Sequence, residues 1–579
     1  MKFTSAASML GLAALAAASN VVAPSNWDTS DYYVLHLDGQ TSPAEVATSL
    51  GLTHQGPLGE LKDHHLFAAR KENHDVVKRE LKERRRRKRD LDDHHVLDGV
   101  LFAQKQHLRK PWEKRIPPRQ PGPEPLRVVT KQAGAPNLAA QDKLNEVALT
   151  LDIRDPIFKE QWHLFNTVQL GHDINVTGVW QQGITGKNAT VAIVDDGIDM
   201  YSNDLKPNYY AKGSWDFNDK VPEPKPRLAD DRHGTRCAGE VSAARNDVCG
   251  VGVAYDSGIA GLRILSKAIS DADEALAMNY DMQNNDIYSC SWGPPDDGRA
   301  MDAPGILIKR AMLNAIQNGR GGKGSIYVFA SGNGAANDDN CNFDGYTNSI
   351  YSITVGAIDR TGSHPYYSEK CSAGMVVTYS SGANDAIHTT DVGQNVCSKA
   401  HGGTSAAAPL AAGIYALVLQ VRPDLSWRDM QWLTVNTAVP VNLDTGDWQE
   451  TTIGRRFSHT FGYGKLDSYA IVEAAKTWKT VKPQAWYFSP WVHVNTPIPQ
   501  GDVGVVVDFE ITKEMLEEAN LERVEHVTLT MNAEHTFRGE LSVDLISPNK
   551  VVSHLAEPRK YDDSKDGYDD WTFMSVVHW

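Results

Sequence analysis

Short and long apolar runs alternate between residues 151 and 482. Short runs such as 190–194 and 326–330 have the length of buried strands, and longer ones such as 410–420 have the length of helices. Strands that alternate with helices are joined most simply in parallel, so this part of the chain predicts an α/β domain with a parallel sheet. Functional residues of such domains gather at the carboxyl ends of the strands.

The first residues have the composition of a secretory signal peptide. A lysine at position 2 precedes small and apolar residues at 6–18, and either residues 16–18 or Ala23 offer a cleavage position. We therefore assign residues 1–18 to a signal peptide whose end lies between 18 and 23. The stretch is too short and too rich in alanine for a membrane anchor, and no later segment has 18 uninterrupted apolar residues, the length of a spanning helix. The sequence predicts a protein of the secretory pathway with no membrane-spanning segment.

Composition narrows the class of protein further. The 579 residues are 41% hydrophobic and 23% charged, which is typical of a soluble globular chain with several domains. The net charge of −15 lies mostly after the first 115 residues. An acidic body excludes nucleic acid as the expected partner and suits a cationic substrate, although a solvated acidic surface has the same composition.

A basic run and a proline-rich stretch divide the chain. Residues 84–89 are all arginine or lysine, and Lys114-Arg115 precedes the proline-rich residues 116–123. Such a stretch is extended and exposed, as a domain boundary and a proteolysis site require. The charge run is also consistent with a solvated, disordered segment. We assign residues 24–115 to a small α+β domain with a cluster of histidines, and 116–482 to the α/β domain.

After residue 483 the pattern changes to short runs that alternate. Residues 503–509, 526–531 and 541–546 predict strands of a C-terminal β-sandwich over residues 483–579. This part is shorter than the roughly 100 or more residues that such sandwiches often need, so the domain looks truncated.

Four motifs carry the chemistry. Asp195 ends a strand-like run, His233 precedes a helical run, and Ser405 opens a long apolar helix where its hydroxyl would lie beside a free backbone N–H. Asn333 follows another strand and could donate to a developing oxyanion. Each motif alone is usually a turn or a loop. In the order Asp, His, Ser they match the subtilisin arrangement of a catalytic triad and predict a serine endoprotease.

Longer stretches carry a closer resemblance. Residues 213–219, 288–294 and 344–351 resemble the kexin and furin branch of the subtilases, and fungal kexins most of all, within a similarity that runs from about Tyr32 to Trp579. The resemblance implies a subtilisin-like domain followed by a P domain. It also implies a protease of the late Golgi lumen, or a secreted one, that cleaves precursor proteins after paired basic residues.

The same resemblance assigns the roles of the motif residues. Asp195 orients His233, which acts as general base and then acid, while Ser405 attacks and Asn333 completes the oxyanion hole. Residues 24–115 are implied to be an inhibitory propeptide and folding aid, which the enzyme removes by cleaving after Arg115. The protein is expected to act as a monomer.

Acidic pockets for the substrate are also implied by the resemblance, because a desolvated arginine or lysine requires carboxylate partners. The first pocket is assigned to Asp296 and Asp344, with Trp292 and Gly293 as a backbone wall. The remaining assignments are Asp196, Asp230 and Asp231 for the second pocket, and Glu274 and Asp302 for the fourth substrate position. Ordinary surface charges are the alternative. Residues 265–268 lack the acidic cluster of furins, which favours a simple dibasic rule.

Calcium is the implied cofactor, because clusters of carboxylates supply the hard oxygens that it binds. One site matches Asp296, Asp339 and Glu369, and another matches Asp155, Asp204 and Asp247. Six cysteines in a secreted chain predict disulfides, for which the sequence alone permits fifteen pairings. The resemblance implies the bonds Cys249–Cys397 and Cys341–Cys371. Asn175 and Asn188 begin glycosylation sequons.

Two other functions are compatible with these residues. A broadly degradative subtilase would make the acidic pockets accidental. A binding module or chaperone that stays bound to its propeptide would follow if the short sandwich impaired the catalytic domain.

Overall fold

The computed structural model describes residues 26–88, 95–109, 135–445, 447–501 and 503–579. The chain forms two compact units, Met1–His107 and Leu108–Trp579. The predicted signal peptide and the predicted cleavage site at Lys114-Arg115 lie outside the described residues, as does the end of the basic run at Arg89.

The first unit is a four-stranded antiparallel sheet with two helices, as expected for an α+β domain. Its elements in chain order are β1 (Ser30–Leu37), α1 (Pro43–Leu50), β2 (Thr53–Pro57), β3 (His64–Arg70), α2 (Val76–Lys88) and β4 (Val100–Lys105). The strand order is β2-β3-β1-β4. Tyr33, Leu35 and Phe67 on the sheet pack with Val46 and Val77 of the helices to form the core.

A pair of histidines bridges β2 and β3 in this unit. His54 Nε2 and His65 Nδ1 lie 3.1 Å apart, so one ring donates to the other, and protonation of the acceptor ring breaks the bond. Burial lowers the pKa of His54, and burial followed by the charge of His54 lowers the pKa of His65. Folding therefore favours the neutral rings. Their contribution to stability is complete above the ordinary histidine pKa of about 6.5 and is lost as the pH falls below it.

We expect the isolated unit, residues 24–107, to unfold at a lower urea concentration at pH 5.0 than at pH 7.5. His65→Phe should reduce this difference because it removes one titrating ring. His74→Gln, which changes an exposed histidine, is the control and should keep the full difference. Equal urea midpoints at the two pH values for the unchanged unit would contradict the expectation.

Seven parallel strands form the centre of the second unit, as the alternating pattern predicts. The sheet order is β13-β12-β11-β10-β6-β8-β7, and every neighbouring pair is parallel. The strands of the whole unit are β5 (Leu108–Arg109), β6 (Thr190–Asp195), β7 (Trp215–Asp216), β8 (Gly258–Arg263), β9 (Ile269–Ser270), β10 (Ile287–Cys290), β11 (Ile326–Ala330), β12 (Ser352–Ile358), β13 (Val376–Tyr379), β14 (Ile387–Thr390), β15 (Cys397–His401), β16 (Gln449–Glu450), β17 (Arg456–Phe457), β18 (Val527–Ala533), β19 (Val543–Ile546), β20 (Val552–Ala556) and β21 (Tyr568–Ser575).

Nine helices are described in this unit, and the longest of them lies against the sheet. They are α3 (Leu138–Thr150), α4 (Thr177–Trp180), α5 (His233–Ser242), α6 (Asp271–Ala277), α7 (Ile306–Gly322), α8 (Thr404–Val421), α9 (Trp427–Thr437), α10 (Ser468–Lys476) and α11 (Lys513–Glu518). Helix α8 packs on β10, β11 and β12 and on α5. It is apolar enough to cross a membrane, and it is the one such helix found among the described residues; 89% of that stretch is buried inside the protein.

The C-terminal strands form two antiparallel pairs, β18 with β21 and β19 with β20. Their apolar side chains, which include Leu555 and Phe573, share a core with Phe343 of the α/β part. Residues 503–509 do not form the predicted strand. In the structure they have no regular secondary structure. Val503 and Val506 are exposed, and a strand requires a partner strand that this run does not find among the described residues.

Arg559 of the C-terminal part is buried against the α/β part. Its guanidinium lies 3.7 Å from the centre of the Phe343 ring and donates to Asp339 Oδ1 at 3.2 Å and to the carbonyl oxygen of Ala300 at 2.7 Å. A second ion pair to Asp562 holds it in place. Arg559 is therefore one of the buried contacts between the C-terminal part and a loop of the α/β part; the buried Arg538 also donates to this loop, at the Arg299 carbonyl oxygen.

Both implied disulfides are present in the structure. Cys249 is bonded to Cys397 and Cys341 to Cys371, while Cys237 and Cys290 are free and buried.

The two sequon asparagines are both exposed. The side-chain nitrogen of Asn175 donates to the Asp467 carboxylate at 3.1 Å, so a glycan there would have to displace this contact. Asn188 is therefore the better-placed of the two.

Candidate active site

The predicted triad residues lie at the ends of three elements, β6, α5 and α8. Asp195 is the last residue of β6, His233 is the first of α5, and Ser405 is in the first turn of α8. The Nδ1–H of His233 donates to Asp195 Oδ2 at 2.8 Å. Cys237 Sγ lies 3.8 Å from His233 Nδ1 and 3.6 Å from the Ser405 carbonyl oxygen, so the histidine and the serine flank the same thiol.

Asp195 controls the charge of His233. Burial by itself lowers the pKa of His233, but the charge and the hydrogen bond of Asp195 outweigh burial and raise that pKa above its ordinary value. A raised pKa favours the imidazolium that forms when the ring accepts a proton. His233 Nε2 has no hydrogen-bond partner among the described residues, and this is the atom that would accept the hydroxyl proton of Ser405.

Asp196 fixes the start of α5. Its carboxylate accepts hydrogen bonds from the backbone N–H groups of Arg232, His233 and Gly234. A negative group at this end of a helix is favourable because the first N–H groups have no partner inside the helix. Burial, followed by the charge of Asp195, raises the pKa of Asp196 to about 7.

Asn333 is oriented for an oxyanion hole. Its Oδ1 accepts from the backbone N–H of Thr404 at 2.8 Å and from the Thr404 hydroxyl at 3.1 Å, which leaves the NH₂ group to donate elsewhere. The N–H of Asn333 donates to Asp296 Oδ2 at 3.2 Å. One donor of this kind contributes about 3 kcal/mol to transition-state binding in acyl transfer.

The carboxylates of the predicted first pocket lie on two adjacent loops. Asp296 follows β10, and Asp344 follows the turn at Cys341–Phe343. Asp302 and Asp344 form a parallel bridge that joins the loops. The indole of Trp292 is fully buried and donates to the Val194 carbonyl oxygen at 2.8 Å. Its side chain therefore belongs to the core, which is consistent with a pocket wall made of the backbone of Trp292 and Gly293.

The second-pocket residues Asp230 and Asp231 have different environments. Asp231 is 5% exposed; its Oδ2 accepts from Arg263 Nη2 at 2.9 Å, and its Oδ1 accepts from the Ser266 hydroxyl at 2.8 Å. Arg263 is fully buried and also binds Asp216. Asp230 is exposed. Of the predicted carboxylates of this pocket, Asp230 is thus the exposed one, whereas Asp196 and Asp231 are engaged with the protein itself.

Of the two residues predicted to bind the fourth substrate position, Glu274 is in the core and Asp302 is at the surface. Glu274 is fully buried and accepts a hydrogen bond from the Tyr346 hydroxyl. The Asp302 side chain is 54% exposed and lies 3.9 Å from Arg109. Strand β5 pairs antiparallel with β9, and Arg109 Nε donates to Asp271 at 2.9 Å. A basic residue upstream of Arg115 therefore binds at the exposed half of the pair.

The first predicted calcium cluster has ligands of the right chemistry. Asp339 and Glu369 are buried and meet at Gly334, where a Cβ would lie 2.6 Å from Asp339 Cβ and 3.0 Å from Glu369 Oε1. Asp296 reaches the same loop through its bond to Asn333. Arg559 supplies one positive charge to Asp339. Arg559 offsets only one of the three negative charges of Asp296, Asp339 and Glu369. Three carboxylates this close together suit a calcium ion, so these residues fit it.

The second predicted cluster fits as well. Asn246 joins its two buried carboxylates, with the backbone N–H donating to Asp155 Oδ1 at 3.1 Å and the side chain to Asp204 Oδ1 at 3.4 Å. Burial raises the pKa of Asp155 to about 7, and burial together with the charge of Asp155 raises the pKa of Asp204 to about 8. A bound cation would favour both ionised forms. Asp247 is exposed.

Three buried polar residues around the site were not predicted from the sequence: Arg263, Glu240 and His401. A faint signal existed for two of them, because Arg263 ends a run of buried strand residues and Glu240 lies on the buried side of α5. Their partners come from distant parts of the chain, which the sequence pattern does not reveal.

Comparisons with known proteins agree with this geometry. The model of the subtilase family matches residues 186–464, and the model of the proprotein convertase P-domain matches residues 524–579. A crystal structure of a serine protease of Aeromonas sobria has a similar fold, with a TM-score of 0.64 at 20% identity over 74% of this chain and 86% of the other.

Two sequence relatives are similar over nearly the whole chain. Kexin of Candida albicans (strain WO-1) is 46% identical over 96% of this chain and 62% of its own length. A dibasic-processing endoprotease of Schizosaccharomyces pombe is 46% identical over 95% of this chain and 74% of its own length. The chain spans less than two thirds of the length of several relatives. Because the Schizosaccharomyces protein is matched over most of both chains, this chain belongs to the subtilase family, within its kexin branch.

Proposed function

We propose that the protein is a serine endoprotease that processes secretory precursor proteins by cleaving after paired basic residues. The observation that carries the proposal is the hydrogen bond between His233 and Asp195, with Ser405 beside the same thiol and carboxylates on the adjoining loops. The relatives named for kexin and dibasic processing support the substrate class. The predicted signal peptide supports the secretory pathway, in the late Golgi lumen or outside the cell.

The chemistry follows from the positions of these groups. Ser405 attacks the substrate carbonyl carbon while His233 Nε2 accepts the hydroxyl proton, and Asp195 stabilises the resulting imidazolium. The Asn333 amide stabilises the oxyanion. The imidazolium then protonates the leaving amine, and a water molecule repeats the sequence to release the acid and restore the serine.

The preference for two cations follows from the pockets. Asp296 and Asp344 are assigned to the side chain before the cut, and Asp230 to the one before it. Each charge-assisted hydrogen bond to a desolvated cation contributes about 1.5–3 kcal/mol, or roughly ten- to hundredfold in selectivity. Asp196 and Asp231 shape the second pocket through the contacts described above.

Fluorogenic peptides that differ only in the two residues before the cut test the proposal. We expect kcat/KM to be highest for Lys-Arg and about a hundredfold lower when leucine replaces the arginine. Equal cleavage after leucine, phenylalanine and arginine would instead establish a degradative subtilase. A folded protein that binds its propeptide but hydrolyses none of the peptides would establish the binding-module alternative.

We further propose that residues 24–115 inhibit the protease and assist its folding until cleavage after Arg115. The antiparallel pairing of β5 with β9 supports this order, because Leu108 and Arg109, which precede Arg115 by seven and six residues, add a short strand to the α/β part. A substrate segment that adds a strand to an exposed edge gains main-chain hydrogen bonds independent of its sequence.

Calcium should be required for activity. Asp296 is assigned both to the ion and to the first pocket, and it also accepts the N–H of Asn333; the ion would neutralise the carboxylates and hold this loop. We expect excess EDTA to abolish peptide cleavage, and calcium but not magnesium to restore it, since magnesium prefers a smaller octahedral shell and keeps its waters. Asp247→Asn, in the exposed part of the other cluster, should change the calcium requirement less than Asp339→Asn. Full activity in EDTA would contradict the assignment.

A further inference from the structure

A second histidine lies directly behind the triad. His401 is 3% exposed and ends β15, four residues before Ser405. Its ring meets the ring of His233 edge to face, with centroids 5.4 Å apart and an interplanar angle of 75°. The proton transfers described above do not involve His401.

One face of α5 supplies the groups around this ring. His233, Cys237 and Glu240 follow at intervals of four and three residues, so they lie on one side of the helix. Nε2 of His401 lies 3.2 Å from Glu240 Oε1 and 3.6 Å from Cys237 Sγ. The same thiol donates to the Ser405 carbonyl oxygen. His401 thus contacts the helix that carries the base and belongs to the segment that carries the nucleophile.

Burial favours the neutral forms of Glu240 and His401. Burial raises the pKa of Glu240 well above its ordinary value, and burial followed by the charges of His233 and Arg236 lowers the pKa of His401 well below its own. The Glu240 carboxyl accepts no hydrogen bond from the described residues, so an ionised carboxylate would be buried without support. A protonated Glu240 that donates its O–H from Oε1 to His401 Nε2, 3.2 Å away, gives that oxygen a partner.

Other charges face the pair from the elements around it. Asp195 approaches from β6 and Asp196 from the turn that follows, and both face His233. Arg236 of α5 is paired with Asp391 beyond β14. Because these charges are already matched, a neutral His401 leaves the balance at His233 undisturbed, whereas a charged His401 would oppose the imidazolium that forms in each catalytic cycle.

We propose that His401 is a positioning residue of the triad, which holds the ring of His233 and the first turn of α8 in place through a neutral hydrogen bond to Glu240. The inference rests on the proposed protease activity. Misplacement of a reacting group by about 1 Å is enough to slow catalysis about a hundredfold. His401 contacts the ring of the base and lies four residues before the nucleophile.

The test compares three changes in the full-length protein. His401→Ala should lower kcat about a hundredfold with KM changed less than about threefold, because the substrate pockets are untouched. Glu240→Leu, which removes the hydrogen bond, should lower kcat about tenfold. Glu240→Gln keeps a neutral donor of the same shape, so kcat should stay within about twofold and the acid limb of the pH profile should not move.

Each variant is matured in trans by tagged wild-type enzyme, which is then removed, and kcat is expressed per serine labelled to completion by a fluorophosphonate. Thr389→Val is the matched control: it removes a partly buried hydrogen bond to the Arg236 carbonyl oxygen of the same helix but changes neither His401 nor Glu240, and kcat should be unchanged. His401→Phe keeps the ring volume and serves if the alanine variant does not fold; kcat should still fall about tenfold.

Two results would overturn the proposal. The first is a kcat within about threefold of wild type for both His401→Phe and Glu240→Leu. The second is an acid limb shifted by about half a pH unit or more in Glu240→Gln, which would show a charged pair. If the wild-type enzyme is labelled by fluorophosphonate but does not cleave after Lys-Arg, the proposed specificity fails; the labelling rates of the same variants then test the positioning role by themselves.

Discussion

Replacing Ser405 with alanine is expected to lower peptide cleavage about a millionfold and to stop the removal of the propeptide. The hydroxyl is the group assigned to form the acyl-enzyme, while the fold depends on it little: it donates one long hydrogen bond of 3.5 Å, to the Ser291 carbonyl oxygen. The variant should therefore accumulate as a folded precursor. Mass spectrometry should find the chain intact across Arg115, with no new N-terminus at Ile116.

Cleavage in trans provides the control for this experiment. Catalytic amounts of wild-type enzyme should cut the Ser405→Ala precursor after Arg115, whereas a precursor that also carries Arg115→Ala should resist. A Ser405→Ala protein that matures by itself would mean that another protease removes the propeptide. N-terminal sequencing of mature wild-type protein that begins elsewhere than at Ile116 would contradict the assigned site.

Neighbouring aspartates of the second pocket should respond to substitution in opposite ways. Asp231→Asn takes a carboxylate from the buried Arg263, and breaking such a pair costs about 3 kcal/mol or more, although Asp216 still binds the guanidinium. We expect the melting temperature to fall by about 5 °C or more. Asp230→Asn changes an exposed side chain, so stability should stay within about 0.5 kcal/mol.

The effects on substrate selectivity should have the reverse order, with the larger change in Asp230→Asn. Asp230→Asn should reduce the preference for Lys-Arg over Ala-Arg peptides roughly three- to tenfold, and added salt should weaken the wild-type preference because an exposed ion pair is screened. The ratio of kcat/KM for the two peptides is the measurement. If Asp230→Asn leaves this ratio unchanged while a folded Asp231→Asn abolishes the preference, then Asp231 is the substrate's partner and the reading of the pocket is wrong.

The arrangement of the proposed catalytic residues could be predicted from the sequence because its signals are local. Asp195 ends a buried strand and Asn333 follows another, while His233 begins a helix and Ser405 lies in the first turn of a second helix, so four short motifs mark the ends of elements. The parallel sheet itself follows from the alternation of short and long apolar runs.

The state of the acidic residues could not be predicted, because it depends on contacts between distant parts of the chain. Asp230 and Asp231 are adjacent in sequence, yet only Asp231 meets Arg263. The pairing of His401 with Glu240 joins residues that are 161 positions apart. For residues 503–509 the strand prediction was wrong. Their pattern is that of a strand, but the pattern does not show whether a partner strand is present.

Arg559 has a consequence for how the protease could be shortened. Its guanidinium covers the Phe343 ring and bonds to Asp339 and Ala300, so the α/β part has no self-contained surface at this point. A chain cut after residue 482 would expose an aromatic ring to water and leave a carboxylate beside the substrate loops without its cation. Engineering a minimal enzyme from this protein would therefore require redesign of the Phe343 surface rather than simple deletion of the strands that follow.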